Sequence, residues 1–299
     1  MDKINSRTNK RTIIIIMETT TTYYSDPSFT VFKVPHWRAY FYKFLSVSLW
    51  GAIPNNLQRT ISAWYAAFYN TKASKRIIAP YIRLNYTDKD YLNKFKPPSG
   101  KSSFETFQDF FTREFKNLPI SESKYVWPCE GLLCEEGKVE SIKNAHVKCD
   151  TKTVDTVFGL KMNSIPKNYS FTNVFLHNKN YHRIHAPING TITRIQHVPG
   201  DLIVLRPWIY KQNPSLPAFR NERYNIDITD PDGKIWYLSI VGGPAVGTIK
   251  LNKEIIEGAK VEKLNELALF HLGSTCCMAA PTTPRFHSKN TFVEVGTTY

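Results

Sequence analysis

The sequence lacks the cysteine patterns that build structural metal sites and disulfide frameworks. It has no CxxC pair and no CxxC joined to an HxxxH. Its five cysteines are an odd number: Cys129 and Cys134 are separated by four residues, Cys149 stands alone, and Cys276–Cys277 are adjacent. That points to buried thiols in a reducing compartment. Long apolar runs are missing too. The longest aliphatic stretch, Ile13–Ile16 with Met17, is far short of the roughly 18 to 20 residues a spanning helix needs. The chain is therefore not expected to cross a membrane, which leaves open that it lies on one. No strand, glycine-rich loop and helix follow one another, which removes nucleotide-cradling folds. Acidic residues are few, 25 against 39 Lys and Arg, leaving a net charge of +14. Such an excess favours an anionic partner: nucleic acid, an anionic bilayer surface or an acidic substrate. The basic residues are dispersed, clustered only at Lys10–Arg11 and Lys72–Arg76. No nucleic-acid arm or recognition helix stands out, and no nucleic-acid partner is expected.

What is present suffices for a sizeable core, with 42% hydrophobic and 13% aromatic residues over 299 positions. One or two domains follow from that length, and disordered, collagen-like and small disulfide-stapled chains are excluded. Residues 1–30 are polar, Thr-rich and without periodicity, and are expected to be a tail. Within it residues 1–12 are basic, with Asp2 as the one acid, which also suits an organelle-targeting leader. In the 31–95 region Trp37, Tyr40, Phe41, Phe44, Leu45 and Leu49 recur at helical spacing, and so do Leu57, Ile61, Trp64, Tyr65 and Phe68. These amphipathic helices, flanked by Lys and Arg, either pack on a core or lie in a membrane interface.

Past Pro97, Pro98 and Gly100 comes a short helical run at Phe104, Phe107, Phe110, Phe111 and Phe115, with Ser103 placed as its N-cap. Beyond Pro119 the pattern turns to short strands. They are expected at Gly137–Ile142, Asn173–Leu176, Gly190–His197, Leu202–Leu205, Tyr224–Ile228, Lys234–Val241, Ala245–Leu251 and Leu267–Leu272. Helices first and strands afterwards give an α+β fold, with N-terminal amphipathic helices followed by a β-rich core over 96–299.

Three patches carry candidate chemistry. His182 and His185, in Tyr181–Pro187, suit a metal pair, an acid/base pair or two satisfied structural side chains; no third ligand is in view, so no metal is expected. Glu130 sits in the turn Pro128-Cys129-Glu130-Gly131, where a lone acid is commonly just solvated. Gly273-Ser274 ends an apolar run. An unhindered Gly carbonyl can be presented to the next hydroxyl, and a serine becomes a nucleophile once a base takes its proton.

Taken in order, these patches and their neighbours resemble the phosphatidylserine decarboxylase proenzyme family from about Leu49 to Gly296. FQDFFTREFKNLPI (107–120) is similar to FxxFFxRxLKxxxRPI, and PCEG (128–131) to PxDG. YHRIHAPINGTITRIQHVPGDL (181–202) is similar to YHRxHxPxxGxxxxxxxxPGxL, NER (221–223) to NER, and GGPAVGTI (242–249) to VGAxxVGxI. LGST (272–275) matches the self-cleavage motif in its Leu form. Each motif is modest alone; all six in order and spacing are specific.

The resemblance implies a self-processing enzyme. Ser274 would attack the Gly273 carbonyl, leaving a β chain 1–273 and an α chain 274–299 that begins with a pyruvoyl group made from Ser274. That covalent cofactor would take the place of PLP as electron sink, turning phosphatidylserine into phosphatidylethanolamine and carbon dioxide. His185 would be the base that activates Ser274, oriented by Glu130 in a Ser-His-acid arrangement, and His182 the proton donor of the decarboxylation. Implied partners are phosphatidylserine, an anionic membrane surface, the two chains of one precursor and a homodimer of the processed pair. Peripheral membrane association follows, at a mitochondrial inner membrane from the Leu-type motif and the basic leader, or at a bacterial or other cellular membrane.

The chain departs from the family at Glu130, where the family has Asp. A carboxylate displaced by about 1 Å can cost on the order of 100-fold, so slower self-cleavage is expected. Asn180 replaces a frequent Asp with no expected effect. The less aliphatic CCMAAPTTPRFH (276–287) is expected to loosen the strand that holds the pyruvoyl group. Alternatives are an unprocessed lipid-binding relative disabled by Glu130, and a pyruvoyl decarboxylase of a soluble amino acid.

Overall fold

The computed structural model describes residues 20–24, 26, 31–88, 90–147, 150–243, 249–271, 273–285 and 288–299. The basic residues 1–12, Cys149, Leu272 and the 244–248 part of GGPAVGTI lie outside the described residues. The chain is α+β, helical first and β-rich afterwards. The boundary drawn at residue 30 runs through a ribbon: β1 (Thr20–Tyr24) pairs antiparallel with β2 (Val31–Pro35).

Apolar residues three and four apart form α1 (His36–Lys43), continued by a π-helical turn at Phe44–Leu49, and then α2 (Asn55–Tyr69). α3 (Lys75–Asn85) follows. Much of the apolar stripe of α1 and α2 enters no core. Trp37 is 72% exposed and Trp64 76%, and Tyr40, Phe41, Phe44, Leu57 and Phe68 are exposed beside them in sequence. Core packing therefore does not account for this face. Among the described residues no helix is long and apolar enough to cross a membrane.

α4 (Asp90–Asn93), β3 (Phe95–Lys96), α5 (Phe107–Phe111) and β4 (Glu114–Phe115) bridge the two parts. α5 begins later than expected, and its cap is Thr106 rather than Ser103: the Thr106 hydroxyl accepts the Asp109 N–H at 3.0 Å. The reason is tertiary. The hydroxyl of Ser74, at the start of α3, accepts the Phe107 N–H at 2.8 Å and so satisfies the helix from outside its own sequence.

The β-rich part contains β5 (Gly131–Lys138), β6 (Ala145–Val147), β7 (Asp150–Lys152), β8 (Ser170–Leu176), β9 (Arg183–His185), β10 (Gly190–Val198), β11 (Arg223–Thr229) and β12 (Ile235–Gly242). It ends with β13 (Ile249–Leu251), β14 (Lys260–Val261), β15 (Glu266–Phe270), β16 (Ser274–Ala280) and β17 (Phe292–Val293). Eight strands make one antiparallel sheet in the order β14-β10-β11-β12-β16-β8-β5-β17, and β13-β15-β9 make a second. Alternation along each strand sorts the core. Val174, Leu176, Leu238, Ile240, Cys276 and Met278 share a cluster with Ile184 of β9, while Phe171, Phe175, Tyr237, Val241, Cys277 and Ala279 build a cluster on the other face.

Three expectations change. The strand placed at Gly137–Ile142 starts instead at Gly131 and gives way to a 3-10 turn at Val139–Ser141. A Cβ at Gly131 would stand 2.3 Å from the Phe175 carbonyl oxygen, so only glycine permits this strand its approach to β8. Leu202–Leu205 joins no ladder, because the Asn221 side chain replaces a neighbouring strand: its Oδ1 accepts the Ile203 N–H at 3.0 Å and its Nδ2 donates to the Ile203 carbonyl at 2.8 Å. The first five residues of the segment expected to be loose, 276–280, are central and wholly buried in β16. β16 lies between β12 and β8 in unbroken register, and its small side chains let both neighbours close on it.

Asn221 also donates to the Gly242 carbonyl at 2.9 Å, so one buried amide ties the Leu202–Leu205 segment to the end of β12. Asn221→Ala strips partners from several buried backbone groups. Urea unfolding in a Ser274→Ala background is expected to show a loss of about 3 kcal/mol, and a loss under about 0.5 kcal/mol, the size of an ordinary surface change, would remove the clamp from the account.

Candidate active site

β16 starts at Ser274, opposite Gly242 of β12 on one side and Leu176 of β8 on the other. The pleat turns Ser274 to the face of Cys276 and Met278, the face that packs on β9. Its hydroxyl is buried and has no hydrogen-bond partner. The preceding peptide is equally constrained. A Cβ on Gly243 would stand 2.6 Å from the Gly273 carbonyl oxygen and 3.2 Å from Leu205 Cδ1, so the missing side chain makes the cradle in which that carbonyl lies.

His182 and Ile184 fall on one side of the β9 backbone by alternation, His185 and Tyr181 on the other. The His182 ring packs on Phe111, with centroids 3.9 Å apart, and the Leu176 carbonyl, opposite Ser274, bears on the same imidazole. Its Nδ1 lies 2.7 Å from the Asn180 carbonyl, an acceptor only, so Nδ1 carries the proton and Nε2 holds a lone pair. That Nε2 is buried and unpartnered, as is the Ser274 hydroxyl. Burial, aided by the charge of Arg113, holds the His182 pKa well below the ordinary imidazole value.

His185 is fully engaged. Its Nδ1 donates to the Leu264 carbonyl at 2.7 Å, which leaves Nε2 to accept from the Tyr181 hydroxyl at 3.0 Å. Burial lowers its pKa to about 4. Glu130 accepts from the Tyr91 hydroxyl and, at 3.1 Å, from the Tyr181 N–H. Burial raises its pKa against the opposing pull of those donors and of Arg113. No hydrogen bond joins Glu130 to His185 or His185 to Ser274 among the described residues; Tyr181 bridges the first pair, its backbone on the acid and its ring on the imidazole.

Arg113 completes the arrangement. Wholly buried, it donates to the Lys179 carbonyl at 2.7 Å and the Tyr91 hydroxyl at 3.3 Å, and its guanidinium lies 4.8 Å from the centre of the Phe95 ring. Its place in the FxxFFxR stretch thus has a function: it is the cation beside the buried carboxyl. Tyr181 and Gly243 lay inside quoted motifs without a role, and Tyr91 lay outside every motif. Only the folded chain shows their parts.

On the opposite side of the sheet a cavity of about 540 Å³ reaches Gly273. Tyr42, Leu45, Trp50, Ile61 and Tyr65 of the helical region form one wall, and Phe175, Asn178 and Leu205 belong to the β-rich part. The Gly273–Ser274 peptide thus has the β9-facing core cluster on the Ser274 side and a mostly apolar cavity at Gly273.

The sequence profile of the phosphatidylserine decarboxylase family matches residues 107–299. The phosphatidylserine decarboxylase proenzyme of Nitrosospira multiformis is 30% identical over 202 residues, 60% of this chain and 69% of that protein. Similar proteins of the same name occur in Polaromonas sp., 30% identical over 209 residues, 62% of this chain and 73% of that one, and in Shewanella amazonensis, 29% over 205 residues, 60% and 71%.

His182 and His185 are buried and His177 half-buried, and all three have pKa values lowered by desolvation, two of them to about 4 against an ordinary 6.5. The unfolded chain then binds protons near pH 6.5 that the folded chain refuses until about pH 4. The stability these groups contribute is complete above pH 6.5 and is lost as the pH falls toward 4. The melting temperature of a Ser274→Ala chain is expected to fall steadily across that window, and His177→Phe to flatten the slope. A flat profile would show that these rings are not held neutral.

Proposed function

The chain is an enzyme of the phosphatidylserine decarboxylase family, and from that membership we propose that it cuts itself between Gly273 and Ser274 and then converts phosphatidylserine to phosphatidylethanolamine and carbon dioxide. The observation that carries this is the buried, unpartnered Ser274 hydroxyl next to a Gly273 carbonyl cradled by Gly243. In the first reaction Ser274 Oγ attacks that carbonyl, the Gly273–Ser274 C–N bond breaks, and the acyl group moves to oxygen. Elimination of the Gly273 carboxylate leaves a dehydroalanine, whose hydrolysis releases ammonia and leaves a pyruvoyl cap on the 274–299 chain. The residues fit such a cap: position 274 is anchored by ladders on both sides. When formed, the pyruvoyl group supplies an electron sink for the carbanion left by departing carbon dioxide.

The protein's own groups divide the proton work. His185, oriented through Tyr181 by Glu130, is the base of self-cleavage; its Nε2 lone pair is covered by the Tyr181 hydroxyl in this structure, so that bond opens for the proton to arrive. His182, whose Nε2 has no hydrogen-bond partner in this structure, takes up the proton that the substrate ammonium gives up as its amine becomes free and returns it to the substrate carbon after decarboxylation. Burial makes it a reluctant proton holder and hence a ready donor. Glu130 spans the longer reach of its side chain by bonding Tyr91 and Tyr181, which supports Glu as a working substitute for Asp.

Intact mass of the purified protein tests this, before and after borohydride. Two fragments divided at Gly273/Ser274, the smaller gaining two hydrogens on reduction, are expected; a single uncut chain would overturn the proposal. His185→Ala is expected to block cleavage, while His182→Ala permits cleavage and slows turnover. Blocked cleavage in the His182 variant would make that residue the base instead.

Membrane association belongs to the same reading. The exposed aromatic face of α1 and α2, with Arg38, Lys72, Lys75 and Arg76 around it, suits the headgroup boundary of an anionic bilayer. The Trp37→Ala/Trp64→Ala double variant is expected to bind phosphatidylserine vesicles about tenfold more weakly in sedimentation assays. Undiminished binding would move the docking face elsewhere.

A further inference from the structure

We propose that Arg206 is the phosphate-binding residue of the substrate site, holding the phosphodiester of phosphatidylserine in the cavity that ends on Gly273. The inference rests on the substrate reading above. Arg206 is the only charged residue among the described residues that line this cavity. It is exposed, its guanidinium lies 5.6 Å from the centre of the Trp208 ring, and no carboxylate pairs with it among the described residues. The other arginines of this part of the fold are engaged. Arg183 pairs with Glu266 at 2.6 Å, Arg194 with Asp227 at 2.7 Å and Arg220 with Asp201 at 2.6 Å, and Arg223 is spent on backbone carbonyls. An unpaired guanidinium in a cavity otherwise walled by apolar and neutral groups is a site for an anion.

The groups that line the cavity together point to the anion's identity. One wall of the cavity, Tyr42, Leu45 and Ile61, belongs to the helices that carry the exposed apolar face, and the cavity ends at Gly273, beside the reacting position 274. Arg206 follows Leu205 in an extended segment; Leu205 is buried and reaches the Gly243 cradle beside Gly273, and alternation turns Arg206 the other way. The lining of the cavity thus combines apolar side chains of the helices, one cation, and Gly273 beside position 274. The lipid carries the matching parts: acyl chains, a phosphate, and the serine amine, joined to the phosphate through an ester oxygen and the serine Cβ and Cα. His177 stands near Arg206 and is held neutral by burial and by the charges of Lys179 and Arg206, so the imidazole adds no charge of its own beside the guanidinium.

Turnover of the full-length, self-processed protein tests this in nonionic detergent micelles. Arg206→Ala is expected to raise KM for phosphatidylserine about tenfold with the loss falling on KM rather than kcat, and Arg206→Lys to recover part of it. An O-alkylserine keeps the chain, amine and carboxylate but lacks the phosphate, and its KM should not respond to Arg206→Ala. An unchanged KM for phosphatidylserine, or an equal loss with the O-alkylserine, overturns the assignment. Binding of short-chain phosphatidylserine to the Ser274→Ala precursor, followed by tryptophan fluorescence, separates this inference from the catalytic one. If the wild-type chain fails to turn over while Arg206→Ala still weakens this binding about tenfold, the decarboxylase reading falls and the phosphate site stands. Binding independent of Arg206, or displaced equally well by millimolar inorganic phosphate, marks an adventitious anion site and overturns the proposal.

Discussion

The close passage of the Gly273 carbonyl over Gly243 is the constraint on which the rest of this structure depends. With the oxygen 2.6 Å from where a Cβ would stand, the peptide before Ser274 is held by the absence of a side chain rather than by a bond. The ladders on both sides of β16 then remove the remaining freedom, since Ser274 is paired with Gly242 and Leu176 at once. A hydroxyl buried there without a partner costs roughly 1–3 kcal/mol. The chain carries that cost because its sheet closes around β16 as a whole, and local relief would break a central strand.

Around this peptide the charges are arranged so that neither histidine is protonated. Burial acts on both imidazoles, and Arg113, which neutralises the surroundings of Glu130, adds a like charge near His182. The acid is kept away from direct contact with either ring, and Tyr91 and Tyr181 stand between. The outcome is a base covered by a hydroxyl and a second base with an open lone pair, both fixed in tautomer by backbone carbonyls of Leu264 and Asn180.

The helical region is joined to this centre by few but specific contacts. Trp50 Nε1 donates to the Leu202 carbonyl at 2.9 Å, the Ser46 hydroxyl meets that of Tyr210 at 3.0 Å, and Arg59 pairs with Glu222 at 3.3 Å. All three land on the stretch from Leu202 to Glu222, which Asn221 ties to the end of β12. The surface that faces outward with its aromatics is thus mechanically continuous with the strand that pairs with Ser274. The cavity between them has walls from both the helices and the β-rich part and reaches Gly273.

The sequence by itself determined the order of helices before strands and most of the strands from Asn173 onward. Those follow from periodicity and from motif spacing, which are local properties of the chain. It did not determine that the aromatic stripe of α1 and α2 stays outside, because helical spacing describes a face and not what covers it. Nor could it place the cap of α5 on Thr106, since the competing acceptor, Ser74, is distant in the chain. The centrality of β16 also escaped, because small residues read as weak until two neighbouring strands close upon them. Tyr91 and Arg206 had no local mark at all. What they do depends on which backbone lies beside them, and that was decided only when the sheet brought Glu130, Leu205 and Gly273 to their places.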